Sequence, residues 1–119
     1  YNKTNDMRKA TAVFLTHLMK KEVLPVLRIL NIMVSFQTQI LSFVDDEQKT
    51  NEVDEMTEIL FLFLQEGKEK YEQCKGEWIW KFVIKTNIET LSKFSRKEKK
   101  GLSSRAIFKF MDMLKIVQA

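Results

Sequence analysis

Apolar positions along this chain recur at steps of three and four, the spacing of one face of an α-helix, and not at the steps of two that mark a strand. Met7, Ala10, Phe14 and Leu18 form the first stripe, on a helix predicted from a cap at Asp6 to about Lys21. Pro25 suits a first helical turn, where its missing N–H costs nothing, and opens a second segment that reaches Val44. That segment is mostly apolar, yet Arg28, Asn31, Ser35, Thr38 and Ser42 repeat at helical steps and define one narrow polar face. It is long enough for a bilayer, but Arg28, Asn31, Gln37 and Gln39 would be costly in lipid, so it reads as a core helix contacted on several sides. Residues 45–50 read as a loop and Asn51 as the cap of a third helix, with Glu52, Asp54 and Glu55 in the turn where the helix dipole favours carboxylates. Its buried stripe is Met56, Ile59, Leu60, Phe63 and Leu64, widened by Phe61 and Leu62, and Gly67 is the expected stop.

Residues 68–75 are polar, a loop or a further helical turn, and Gly76 is a break. A fourth helix, about Glu77 to Lys93, carries Trp80, Val83, Ile84, Asn87, Ile88 and Leu91, with Trp78, Ile79 and Phe82 at its start. The fifth, capped by Ser103 or Ser104, runs to about Val117 and turns Ile107, Phe110, Met111, Leu114 and Val117 inward, with Phe108 adding to them. No strand is predicted. Loops this short make successive helices antiparallel. The expected fold class is therefore all-α: about five helices in stacked, HEAT-like antiparallel hairpins, forming a single domain over residues 1–119.

Composition narrows this further. With 119 residues, 45% of them hydrophobic, there is material for one packed core and none for a separate cofactor module. Three glycines and one proline cannot supply the turns of a sandwich or barrel, or a phosphate-cradling loop. The one cysteine, Cys74, can make neither an internal disulfide nor a Cys-based metal site, and a single thiol suits a reducing compartment. The chain opens at Tyr1, which reads as a fragment of a longer protein, and its first 13 residues lack the pattern of a signal peptide. Asn2-Lys3-Thr4 matches a glycosylation sequon of the sort that arises by chance. The expected location is cytoplasmic.

Charge is segregated. Residues 45–77 hold 4 basic and 11 acidic side chains, residues 78–119 hold 10 basic and 3 acidic, and the whole chain is only +4. Adjacent elements of opposite sign create patches that steer partners. The densest run is 93–105, where Lys93, Arg96, Lys97, Lys99, Lys100 and Arg105 face Glu98 alone. A basic loop between helices can meet phosphates or an acidic protein face, or simply keep the surface soluble. Catalytic chemistry has little to stand on: His17, the one histidine, lies on a polar helix face without a nucleophile or further metal ligand to join it, and Glu55 and Glu58 are ordinary acids at a helix start. The reading is not an enzyme, with no cofactor, metal or small-molecule substrate. Most of the aromatics sit on buried stripes; Trp78 and Tyr71 are the two expected as exposed contacts.

In the fifth helix, Ser103-Ser104-Arg105-Ala106-Ile107-Phe108-Lys109-Phe110-Met111-Asp112 resembles the closing helix of the middle domain of translation initiation factor 4 gamma. That family shows Ser-Ser-Arg, an apolar residue, then Arg-Phe, with an Asp four residues after the Phe. Ser103, Ser104, Arg105, Phe108 and Asp112 match, and Ile107 stands in place of the second Arg. Phe14 to Leu24 resembles the family's Phe-Ile-Gly-Glu-Leu-Phe-Lys stretch, with Thr16 and His17 in place of Gly and Glu. Gly67-Lys68 resembles the end of its Ile-Gly-Lys helix, and the three blocks occur in the family's order.

The resemblance implies a HEAT-repeat adaptor, of which this chain would be the C-terminal portion. It implies a DEAD-box RNA helicase of the initiation factor 4A type as partner, with RNA as a second ligand and no membrane. From position and charge, Arg96, Lys97, Lys99, Lys100, Arg105 and Lys109 are the candidate partner-binding residues. The competing readings are a direct RNA-binding helical module built on 93–105 and, more remotely, a secreted helical bundle of cytokine type.

Overall fold

A computed structural model describes residues 3–73 and 78–118, apart from the side chain of Lys3. Cys74, Gly76, Glu77 and the Asn2 sequon, all weighed above, lie outside the described residues. The described residues form five α-helices and no strand: α1 Lys3–Lys20, α2 Val26–Phe43, α3 Thr50–Gln73, α4 Lys85–Lys93 and α5 Ser104–Gln118. A single 3-10 turn, Glu47–Lys49, leads into α3, and a π-helical turn, Ile79–Ile84, runs directly into α4.

Cross-helix contacts fix the directions. Lys9 pairs with Glu58 at 2.6 Å and Glu22 with Lys70 at 3.3 Å, so α1 and α3 advance together. Ser103 bonds Asp54, and the Lys109 ammonium lies 4.3 Å from the centre of the Phe61 ring, so α5 also runs with α3. Phe36 packs on Phe63, whereas Phe43 lies beside Met56, so α2 runs against α3. Helices α1, α3 and α5 thus make one parallel layer, and α2 with the 79–93 helix makes a second, antiparallel to the first. The shortest dimension, 20 Å, is that of two helix layers. The pairs α2–α3 and α4–α5 are closely packed across the layers, and α1 packs chiefly on α3.

The stripes of α3 and α4 fall as the periodicity requires. Met56, Ile59, Leu60, Phe63 and Leu64 are buried, as are Trp80, Ile84, Ile88 and Leu91. The polar ridge of α2 faces outward at Arg28, Asn31, Ser35, Thr38 and Ser42. That helix is long and apolar enough to cross a membrane, and here it turns Ile29, Leu30, Met33 and Ile40 into the core.

Helix α1 is rotated from its expected setting. Ala12, Thr16 and Met19 face α3, while Met7 and Phe14 are 70% and 60% exposed and Ala10 is exposed with them. Two faces of α1 carry apolar spacing, and the smaller residues pack closer to the neighbouring helix. Helix ends also differ from expectation. Asp6 sits in the first turn of α1 and does not cap it, and Asp46, not Asn51, starts the third helical segment by accepting from the Gln48 N–H at 2.9 Å. Gly67 does not stop α3, which continues to Gln73. A Cβ at Gly67 would run into the Tyr71 hydroxyl and the Met19 methyl, so this glycine supplies space, not a turn. Through that gap the Tyr71 hydroxyl donates to the Phe63 carbonyl at 2.7 Å.

The π turn is anchored by α2. The Lys85 N–H reaches back five residues to the Trp80 carbonyl, and this change of ladder leaves acceptor capacity where the α pattern resumes. Gln37, fully buried, donates to the Ile84 carbonyl at 3.0 Å and accepts from Asn87 at 3.1 Å. A polar side chain in an apolar helix thus meets an irregular backbone next to it, and both are satisfied.

Candidate functional site

The segment 94–103 between α4 and α5 lies against the α2–α3 connection. Gly101 donates its N–H to the Val44 carbonyl at 2.7 Å, and a Cβ there would lie within 2.9 Å of the Val44 and Asp46 carbonyl oxygens. The close approach, with an ordinary backbone φ, is what demands glycine. Leu102 is buried beside it. Ser103 then starts α5: its hydroxyl oxygen accepts from the Ala106 N–H at 3.0 Å and donates to the Asp54 carboxylate at 2.5 Å.

The six candidate cations separate into two groups. Lys99 pairs with Asp45 at 3.0 Å and lies over the Phe94 ring, so it ties the loop to the end of α2. Lys109 lies over Phe61 on α3. Arg96, Lys97, Lys100 and Arg105 are exposed. Arg96 and Lys100 share a polar depression with Glu47 and Thr50, so the basic loop looks across at acids instead of forming an unbroken positive surface. The charge segregation of the sequence is in part an internal matter: acidic α3 lies between basic α1 and basic α5, joined by Lys9–Glu58 and Ser103–Asp54. The hydrogen bond to Glu58 is the main cause of a Lys9 pKa above the ordinary lysine value, and the nearby Asp6 and Glu55 carboxylates add to it.

On α5 the buried side is Ala106, Phe110, Met113 and Val117. Phe108, expected inward, is 64% exposed, and Met111 is exposed as well. Arg105, Phe108 and Asp112, at steps of three and four, form one outward stripe that continues from the basic loop. Sequence reasoning left Phe108 out of the candidate site because an aromatic at helical spacing reads first as core, and Asp112 because the candidates were chosen by positive charge.

At the opposite end of the layers, Trp78 is exposed as expected, and Phe82 joins it at the surface with Lys81 against its ring. Tyr71 is a correction: it is fully buried, stacked 5.1 Å from the Trp80 ring, and burial pushes its phenol well above the ordinary tyrosine pKa. His17 is exposed on α1. Among the described residues no group of three His, Cys, Asp or Glu side chains is placed to hold a metal ion. An apolar groove of about 410 Å³ opens between α1 and α2, floored by Ile59 and Phe63 of α3.

No protein-family model, curated protein or solved structure matches this chain.

Proposed function

We propose that this chain is a non-catalytic, HEAT-like adaptor module of the kind found in the middle domain of initiation factor 4 gamma, acting in the cytoplasm and docking a DEAD-box RNA helicase through the outer face of α5 and the loop before it. The observation that carries the reading is the exposure of Arg105, Phe108 and Asp112 on one face, next to Arg96, Lys97 and Lys100. These three are positions at which the fifth helix resembles that family. The core does not use them, and Phe108 with the exposed Met111 on the same helix offers an apolar contact between an arginine and an aspartate. The two-layer arrangement, with successive helices antiparallel and alternate helices parallel, is also what stacked helical hairpins require.

A protein partner fits this surface better than an RNA strand. Lys99 and Lys109 are engaged within the chain, Glu47 shares a depression with Arg96 and Lys100, and Asp45 and Asp54 are held beside the same segment by Lys99 and Ser103. A phosphate backbone would meet these acids as well as the bases, whereas a mixed surface around an aromatic anchor suits a protein interface. The test is binding to a purified helicase of the initiation factor 4A type and stimulation of its ATPase. Replacing Arg105 by Glu and Phe108 by Ala together should weaken binding by about a hundredfold while the helical circular dichroism is unchanged. Failure of the unmodified chain to bind, or retention of a single-stranded RNA with a steep salt dependence lost on charge reversal of Lys97 and Lys100, would replace the adaptor with the RNA-binding reading.

A further inference from the structure

The outer face of the second layer differs in charge from the rest of the molecule. Residues 26–43 and 78–93, which make that layer, carry the cations Arg28, Lys81, Lys85 and Lys93 against one acid, Glu89. Glu77, the acid next to them in sequence, lies outside the described residues. By contrast α3 is acidic, and the 94–103 segment looks across at acids. Two aromatic rings stand out of the second layer, Trp78 at 63% and Phe82 at 57% exposure. The π turn puts them there. Its wider ladder brings residues four apart nearly into line, so Trp80 and Ile84 both point into the core while Trp78 and Phe82 both point out. The Lys81 ammonium lies 5.4 Å from the centre of the Phe82 ring, which sets a positive charge beside exposed aromatic surface. On α2, which runs parallel to this segment in the same layer and is bonded to it through Gln37 and Ile84, the outward ridge exposes Arg28, Asn31 and Ser35.

We propose that this face binds single-stranded nucleic acid, with neighbouring bases stacked on Trp78 and Phe82 and the phosphates along the strand held by Lys81, Lys85 and, across the layer, Arg28. The two rings are one helical turn apart on the same line, so a strand crossing them meets one with each of two bases. Stacking of this kind takes bases of any identity and needs them free of a pairing partner, which keeps a duplex out. Around the rings the exposed side chains are Asn31, Ser35 and Thr86, which hydrogen-bond phosphate and sugar oxygens and offer little to an apolar peptide ridge or an acyl chain. Both rings project from these polar surroundings without bordering either cavity described above. Flat bases suit such rings better than a helix, which needs a groove.

The experiment titrates the whole chain into fluorescein-labelled single strands of about 12 nucleotides, one of RNA and one of DNA, and into the RNA duplex, reading anisotropy. Both single strands should bind, and the duplex at least about tenfold more weakly. With Arg28, Lys81 and Lys85 on phosphates, log affinity should fall against log salt with a slope of about −2. Trp78→Ala should weaken binding about tenfold, and Arg28→Glu with Lys81→Glu at least as much, while the circular dichroism stays unchanged. No binding, equal affinity for the duplex, or indifference to Trp78→Ala would each overturn the proposal. So would binding lost on charge reversal of Lys97 and Lys100 but not of Arg28 and Lys81, or displacement of the strand by polyglutamate of equal charge, which would make this an acidic-protein face. Helicase docking through α5 is read separately, so either proposal can fail without the other.

Discussion

Gln37 shows how one residue can hold an irregular element in place. It lies in the most apolar helix of the chain, is fully shielded from water, and joins the Ile84 carbonyl to the Asn87 amide. Leucine would fit the same volume but leave a buried carbonyl and a part-buried amide without their bonds. Gln37→Leu should therefore cost about 2 kcal/mol in urea unfolding, while Gln39→Leu at the neighbouring exposed site should change stability by less than about 0.5 kcal/mol. Tyr71 makes a second residue-scale prediction. Its neutral form is favoured in the fold, so its native pKa is raised by burial. As pH rises past the ordinary phenol value of about 10, the unfolded chain ionises while the folded chain does not, so stability is complete below that pH and declines above it. In a Tyr1→Phe variant, the 295 nm absorbance change should appear only with alkaline loss of circular dichroism; a free titration near the ordinary value would contradict the buried placement. At this scale the sequence identified both residues but not their settings. Tyr71 is flanked by charges, and it is the space at Gly67 and the Trp80 ring beside it that let it leave water.

Among the elements, α3 and α4 were legible because their apolar residues occupy one face and leave no competing choice. Helix α1 was not. Its apolar residues cover more than one stripe, and a periodicity argument takes the stripe with the larger side chains. Packing against α3 chose instead Ala12, Thr16 and Met19: Ala12 and Thr16 are small enough for close approach, and the Met19 methyl fits into the space that Gly67 leaves on α3. The end of α1 is also decided locally. Glu22 has φ 63°, and the Val23 N–H returns to the Leu18 carbonyl at 2.9 Å, a terminating turn usually occupied by glycine. The left-handed conformation costs an L-residue about 1 kcal/mol, and the exposed pair with Lys70 returns only part of that. Glu22→Gly should raise the thermal midpoint slightly, by the equivalent of about 0.5 kcal/mol, and a clear loss of stability would show that the Lys70 pair matters more than the backbone.

For the whole molecule, the closest backbone contact across the join between the α2–α3 pair and the α4–α5 pair is at Gly101, beside the side-chain packing of α3 on α5 and of α2 on the π turn. The neighbours of Gly101 are backbone carbonyls, which cannot swing aside as a side chain can. Gly101→Ala should cost about 2 kcal/mol and shift NMR signals on both sides of the join, at Val44 and at Leu102, without melting the helices themselves. A neutral effect would mean that the two pairs are less tightly locked than this contact implies. The same join decides what the basic segment can do. By composition it is a run of cations, but once folded against residues 44–54 it becomes a mixed surface, and the exposed α5 stripe next to it carries the proposed docking.

Helix number, the all-helical class, the polar ridge of α2 and a serine cap on α5, at Ser103 or Ser104, were determined by the sequence alone, because each depends on interactions within a few residues. The facing of α1, the space kept by Gly67, the π turn anchored by Gln37 and the outward placement of Phe108 were decided only in the tertiary structure. Each depends on how closely a second helix can approach, and that distance is set by side chains 40 or more positions away, as Gln37 and Ile84 are by 47. Local pattern names the candidate faces of a helix, and contact with the neighbouring layer selects among them.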